Sequence, residues 1–198
     1  MTKLINHRAQ QGSILTGLLL LTLLIVTRSD MTRSHFGTSL NPPDASWAVF
    51  WLAGTFSALR WWPLALLFAC AAVDYLAVAT GTRADCFTPA YPFLIPAYLS
   101  LWMMGRWSSG RSLSKMNSWA WLGLSIVSGV TTCFTCANAG MYVASGQFSH
   151  LSPSAYLLAV IGYWPDYLLS TAIYSGIGLL LFYGIKHLHL SGSLRKSI

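Results

Sequence analysis

Long apolar segments dominate this chain and constrain its fold more than any other feature. An α-helix needs about 20 apolar residues to cross a bilayer. Only 9% of the residues are charged, whereas soluble domains carry about 25%. The pattern therefore predicts an all-α integral membrane protein with a single transmembrane domain over residues 1–198. Its six expected spans cover approximately residues 9–28, 44–60, 63–81, 87–105, 118–145 and 166–187.

Two of the six segments allow a second interpretation. The first follows three basic residues and resembles a signal peptide, but Thr27 to Asp30 contains no small-residue cleavage site, so we expect a retained helix. The second is short for a span, and it could form a re-entrant hairpin with the third. Only Arg60 would then change sides of the membrane.

Basic residues are unevenly distributed between the two sides that six spans create. With the N-terminus inside, nine of the 12 Lys and Arg residues fall on the cytoplasmic side. The other three, Arg28, Arg33 and Arg83, fall on the outer side. Basic residues concentrate in the cytoplasmic loops of membrane proteins. We therefore expect both termini in the cytoplasm, contact with membrane lipid, and no nucleic-acid binding.

The stretch DCFTPAYPFLIPAY, residues 85–98, gives the strongest indication of a site. Thr88 and Pro89 fit a helix N-cap and a first helical position. Cys86 would then lie at the positive end of a helix dipole, which favours its thiolate form. Three aromatic residues accompany the thiol: Phe87, Tyr91 and Tyr98. The stretch predicts either a thiolate that binds a large ligand or an ordinary thiol beside a Pro-rich helix start.

Two carboxylates lie within or beside apolar segments. Asp74 lies midway along the third segment, where a charge is costly and is by default a functional candidate. The alternative is a structural hydrogen bond to a neighbouring helix, and the residues alone leave both open. Asp166 lies at a helix start, where we expect it to cap the N-terminus.

Cys133 and Cys136 form a C-x-x-C motif in the outer half of the fifth segment. This spacing serves thiol exchange or metal binding, but zinc would need a second pair of ligands. Cysteine is also a small packing residue, which is our expectation for this pair and for Cys70. The alternative function is a membrane thiol–disulfide oxidoreductase that uses the pair, with Cys86 as a shuttle. A structural membrane subunit is a third hypothesis.

Two stretches of the chain resemble the BtuM family of small vitamin B12 transporters. One is NPPDASWAVFWLAG, residues 41–54; the other is residues 85–98, and Val73-Asp74-Tyr75 adds a third, shorter match. BtuM proteins are related to the S-components of energy-coupling-factor (ECF) transporters. The resemblance therefore implies an S-component-like bundle of six transmembrane helices in the bacterial cytoplasmic (inner) membrane. It also implies binding and uptake of cobalamin from the outer side.

The resemblance also assigns roles to individual residues. It implies that Cys86 ligates the cobalt of cobalamin as a thiolate, a soft donor suited to that metal, and that the same thiolate can release cyanide from cyanocobalamin. Asp74 and Tyr91 match motif positions, and with Phe87 and Tyr98 they are the expected corrinoid contacts. An ECF energising module is the implied partner. The A-x-x-x-A docking spacing of S-components is not evident in the first helix, which reads GSILTGLLL.

Overall fold

The computed structural model describes residues 2–28, 44–56, 60–80, 88–109 and 116–194, and every regular element in these ranges is helical. The α-helices are α1 (Thr2–Arg28), α2 (Ser46–Phe56), α3 (Trp62–Ala79), α4 (Leu94–Ser108), α5 (Met116–Ala144), α6 (Pro153–Val160) and α7 (Trp164–Leu194). Two 3₁₀ turns, Tyr91–Phe93 and Ile161–Tyr163, lead directly into α4 and α7. The predicted all-α fold is confirmed for the described residues.

Three helical segments in the described part of the chain are long and apolar enough to cross a membrane. They are Trp62–Ala79, Asn117–Ala144 and Pro153–Gly184. The last is longer than the sixth predicted segment because a 3₁₀ turn joins α6 to α7 without a break in the helical chain. Their length and composition are compatible with a membrane protein, and a six-span arrangement remains a prediction.

The second predicted segment forms a helix too short to span a bilayer. α2 has 11 residues and is therefore about 16 Å long, against a hydrocarbon core of about 30 Å. Its residues from Ser46 to Gly54 are all buried. The sequence SWAVFWLAG is apolar on every face, and such a helix is stable only when other helices surround it. α2 accordingly packs against α1, α3, α4 and α7.

α2 and α4 cross with their backbones in close contact. A Cβ atom added to Gly54 would overlap the backbone carbonyl of Trp102, and one added to Gly105 would overlap the carbonyl of Trp51. Thr55 Oγ1 also donates to the carbonyl of Gly105 across the crossing, at 3.3 Å. Small residues permit this approach in membrane helices. The two glycines therefore fix the distance between α2 and α4.

We expect Gly105→Ala to reduce the free energy of unfolding in detergent by about 1–3 kcal/mol. The added methyl group would meet backbone atoms that cannot move independently of their helix. The matched control is Gly123→Ala on α5, where a Cβ would meet nothing within 4 Å. Alanine is a better helix former than glycine, so this control should be neutral or slightly stabilising. Equal melting temperatures for the two variants would contradict the close crossing.

Candidate functional site

Arg28, the last residue of α1, forms a two-point ion pair with Asp74 of α3. Its Nε donates to Asp74 Oδ1 at 2.8 Å, and its Nη2 donates to Oδ2 at 2.6 Å. The two side chains are 12% and 9% exposed. A fork of two parallel N–H bonds to a carboxylate is the strongest geometry available to such a pair. The pair therefore fixes the end of α1 against α3.

The remaining nitrogen of the guanidinium joins α1 to two further helices. Arg28 Nη1 donates to Asp44 Oδ2 at 3.0 Å and to Ser46 Oγ at 3.1 Å, and both acceptors lie at the start of α2. It also lies 3.0 Å from the hydroxyl oxygen of Tyr98 on α4. One side chain thus connects four consecutive helices at one end of the bundle.

Asp74 has a second partner in addition to Arg28. The hydroxyl of Tyr91, in the 3₁₀ turn before α4, donates to Asp74 Oδ2 at 2.9 Å. The carboxylate is buried, so these bonds compensate for its removal from water. Asp74, which the sequence places midway along the third segment, therefore bonds to α1 and to the 3₁₀ turn before α4.

Asp44 also accepts hydrogen bonds from the first residue of α2. Its Oδ1 accepts from the backbone N–H of Ser46 at 2.9 Å and from the Ser46 hydroxyl at 2.6 Å. Thr27 Oγ1 accepts from the backbone N–H of Ala45 at 3.2 Å. A negative charge at the positive end of a helix dipole is favourable. The buried helix therefore begins with its polar backbone groups bonded to side chains.

The side chains that bond to Arg28, together with Tyr91, form what we call the Arg28 cluster. An open cavity of about 230 Å³ lies beside this cluster. Its main lining residues are Arg28, Asp44, Trp47, Leu94, Tyr98 and Tyr167. Trp47 stacks on Tyr167 with ring centroids 4.5 Å apart, and Tyr98 stacks on Phe50 with centroids 4.6 Å apart. The cavity therefore combines rigid aromatic walls with charged groups.

Successive helices present opposite ends to the cavity region. α1 ends at Arg28, and Asp74 lies in the C-terminal half of α3. By contrast, Asp44 lies just before α2, and Tyr167 lies near the start of α7. Tyr91 precedes α4 directly. The chain therefore runs back and forth through the bundle, and every group of the cluster and cavity lies toward one end.

The structure brings together three of the five residues predicted for the site. Asp74, Tyr91 and Tyr98 all belong to the Arg28 cluster. The other two, Cys86 and Phe87, lie outside the described residues. The sequence reasoning did not select Asp44, nor Arg28, which it treated only as an outer charge. A usable signal was present, since a buried Asp74 at membrane depth requires a basic partner, and Arg28 ends an apolar segment.

The cysteines of the described residues are free thiols. Cys133 is 1% exposed and lies in the hydrophobic core, while Cys136 is half-buried. Cys70 is also buried, one turn before Asp74 on α3. The described residues contain no group of three or more His, Cys, Asp or Glu side chains that could hold a metal ion.

No protein-family model matches this chain, and comparison with curated proteins finds no similar sequence. The function of the chain is therefore inferred from its residues, from their geometry and from its sequence motifs.

Loss of the guanidinium should be strongly destabilising. We expect Arg28→Gln to reduce the free energy of unfolding by about 3–5 kcal/mol, because two carboxylates lose their shared cation. Arg28→Lys should fall between this variant and wild type, since an ammonium cannot reproduce the planar fork. Thermal unfolding in detergent measures both.

Arg60→Gln is the control for this prediction, because it makes the same change at an exposed position before α3. An Arg28→Gln protein that melts at the same temperature as Arg60→Gln would show that the cluster contributes little to stability.

Proposed function

We propose that this protein binds cobalamin at the cavity end of the helical bundle and takes it up across the cytoplasmic membrane of a bacterium. The observation that carries the proposal is the cavity itself, which is lined by aromatic and charged residues and by Leu94, the residue after the Tyr91–Phe93 turn that follows Cys86 in the sequence. Such mixed apolar and polar surfaces are typical of binding sites for large, partly apolar ligands.

The sequence neighbours of Cys86 support its assignment to this end. The described chain ends at Thr80 after α3 and resumes at Thr88 before α4. On one side of that interval is Asp74, and on the other is Tyr91, whose hydroxyl donates to Asp74. Both flanking elements therefore belong to the cluster that borders the cavity. We propose Cys86 as the ligand of the cobalt and Phe87 as a neighbouring aromatic contact.

The coordination of cobalt in cobalamin is compatible with a single ligand from the protein. The corrin nitrogens already hold the metal, so the protein needs to supply only one axial donor, and a thiolate is a soft donor of the right kind. When the thiolate replaces cyanide on cobalt, cyanide leaves with its electron pair and the oxidation state of the metal does not change. The same residue would therefore both bind cobalamin and release cyanide from cyanocobalamin.

The size of the cavity limits how the ligand would sit. Pockets that enclose drug-sized ligands have volumes of about 300–1,000 Å³, and a cavity of about 230 Å³ is smaller than a corrinoid requires. We therefore propose that only part of the ligand enters between Trp47 and Tyr98, with the corrin ring lying across the opening.

The topology belongs to the same proposal. We propose six spans with both termini in the cytoplasm, in an S-component-like bundle whose cavity end faces outward. The charge distribution along the sequence and the alternating direction of the helices support this arrangement. An ECF energising module is the proposed partner for transport.

Replacement of the proposed ligand tests the function. For Cys86→Ser we expect the cobalt–thiolate charge-transfer bands to vanish and the affinity for cobalamin to fall at least about tenfold, or 1.4 kcal/mol. A hydroxyl has nearly the same size but is a harder and much less acidic donor. Wild type should convert cyanocobalamin spectrally, and the serine variant should not. Absorption titration of purified protein measures both effects.

The matched control removes two thiols elsewhere. Cys133→Ala combined with Cys136→Ala should leave cobalamin binding unchanged, since Cys133 lies in the core and neither residue borders the cavity. An unchanged spectrum and affinity in Cys86→Ser would end the ligand assignment. Quinone-dependent dithiol oxidation that the double variant loses would instead favour the oxidoreductase.

A further inference from the structure

The lining of the cavity contains a carboxylate oxygen that can accept a further hydrogen bond. Asp44 Oδ1 accepts two hydrogen bonds, both from Ser46, whereas Oδ2 accepts one, from Arg28 Nη1. Each carboxylate oxygen can accept two. Within the described residues, Oδ2 therefore keeps one acceptor site, and the Asp44 side chain is 33% exposed where it lines the cavity.

A hydrogen-bond donor without an acceptor in the described part of the chain also lines the cavity. The hydroxyl oxygen of Tyr98 accepts from Arg28 Nη1 at 3.0 Å. Its own O–H has no acceptor among the residues that the structure describes, and Tyr98 is only 3% exposed. Stacking on Phe50 fixes the ring. A buried hydroxyl without an acceptor is costly, so a ligand oxygen here would gain a favourable bond.

The charges of the cluster limit which ligand group can use these two sites. One guanidinium faces two carboxylates, and it already bonds to both Asp44 and Asp74. The cluster formed by these three side chains is therefore net negative. A ligand carboxylate would meet repulsion from Asp44, whereas a neutral group with adjacent N–H and C=O would not.

We propose that the cavity recognises a primary carboxamide, whose N–H donates to Asp44 Oδ2 and whose carbonyl accepts from the Tyr98 hydroxyl. This inference rests on the proposed function, because corrinoids carry primary amides around the edge of the ring. One of these side chains enters the cavity while the ring lies across its opening. The cavity therefore selects corrinoids with intact amides over those with a carboxylate at that position.

The test compares cyanocobalamin with its monocarboxylic acids, in each of which one ring amide has been hydrolysed. At neutral pH, wild type should bind at least one of these acids at least about tenfold more weakly than the parent. In Asp44→Asn that penalty should shrink to about threefold or less, because an amide at position 44 can donate to the acid. Asp166→Asn makes the same charge change at an exposed position outside the cavity lining, and it should keep the wild-type penalty.

Tyr98→Phe provides a second variant that does not alter charge. The two hydrogens on Arg28 Nη1 retain Asp44 and Ser46 as acceptors, and the ring can still stack on Phe50. We expect this variant to fold and to bind the parent corrinoid at least about fivefold more weakly. If Asp44→Asn does not fold, the affinity of Tyr98→Phe for the parent corrinoid tests the carboxamide assignment.

Four outcomes separate failure of the carboxamide assignment from failure of the proposed function. Equal affinity of wild type for the parent and for every acid would overturn the carboxamide assignment alone. An unchanged acid penalty in folded Asp44→Asn, or unchanged parent affinity in Tyr98→Phe, would do the same. Failure of wild type to bind any of these corrinoids would overturn the proposed function as well.

Discussion

The cavity end of this protein depends on the ion pairs and hydrogen bonds that the guanidinium of Arg28 makes with three other helices. This guanidinium bonds to Asp74 on α3, to Asp44 and Ser46 at the start of α2, and to Tyr98 on α4. In an apolar setting a lone charge is very costly, but a cation with two hydrogen-bonded carboxylates is tolerated. The network also has direction, because each N–H must point to its acceptor. It therefore determines how four helix ends meet, which hydrophobic packing alone would leave less specific.

The short buried helix α2 is the second constraint. It is enclosed from Ser46 to Gly54, so its N-terminal backbone groups need partners from other parts of the chain. Asp44 and Thr27 supply them at one end of the helix. At the other end, Gly54 and Gly105 allow α4 to approach to backbone contact. One of these residues also lines the cavity, since Asp44 both bonds to the start of the helix and faces the open space.

This double use connects stability to the ligand recognition that we propose. Asp44, Tyr98 and Arg28 retain their positions through bonds within the protein, so the proposed ligand would meet groups that are already oriented. Pre-organised groups reduce the ordering cost of binding. In the proposed function, the unused capacity of Asp44 and Tyr98 would select the chemical group of the ligand, and the Trp47–Tyr167 stack would provide apolar contact.

The sequence by itself determined the helical, membrane-type character of the chain, because segment length and the scarcity of charge are local properties. It also selected Asp74, Tyr91 and Tyr98 as site residues, although a family resemblance rather than spacing grouped them. Only the tertiary structure decided that Arg28 joins these residues and that Asp44 belongs with them. Arg28 and Asp74 are 46 positions apart, so no periodic pattern relates them. The burial of α2 likewise depended on neighbouring helices, since an apolar segment of 11 residues is compatible with several environments until its partners surround it.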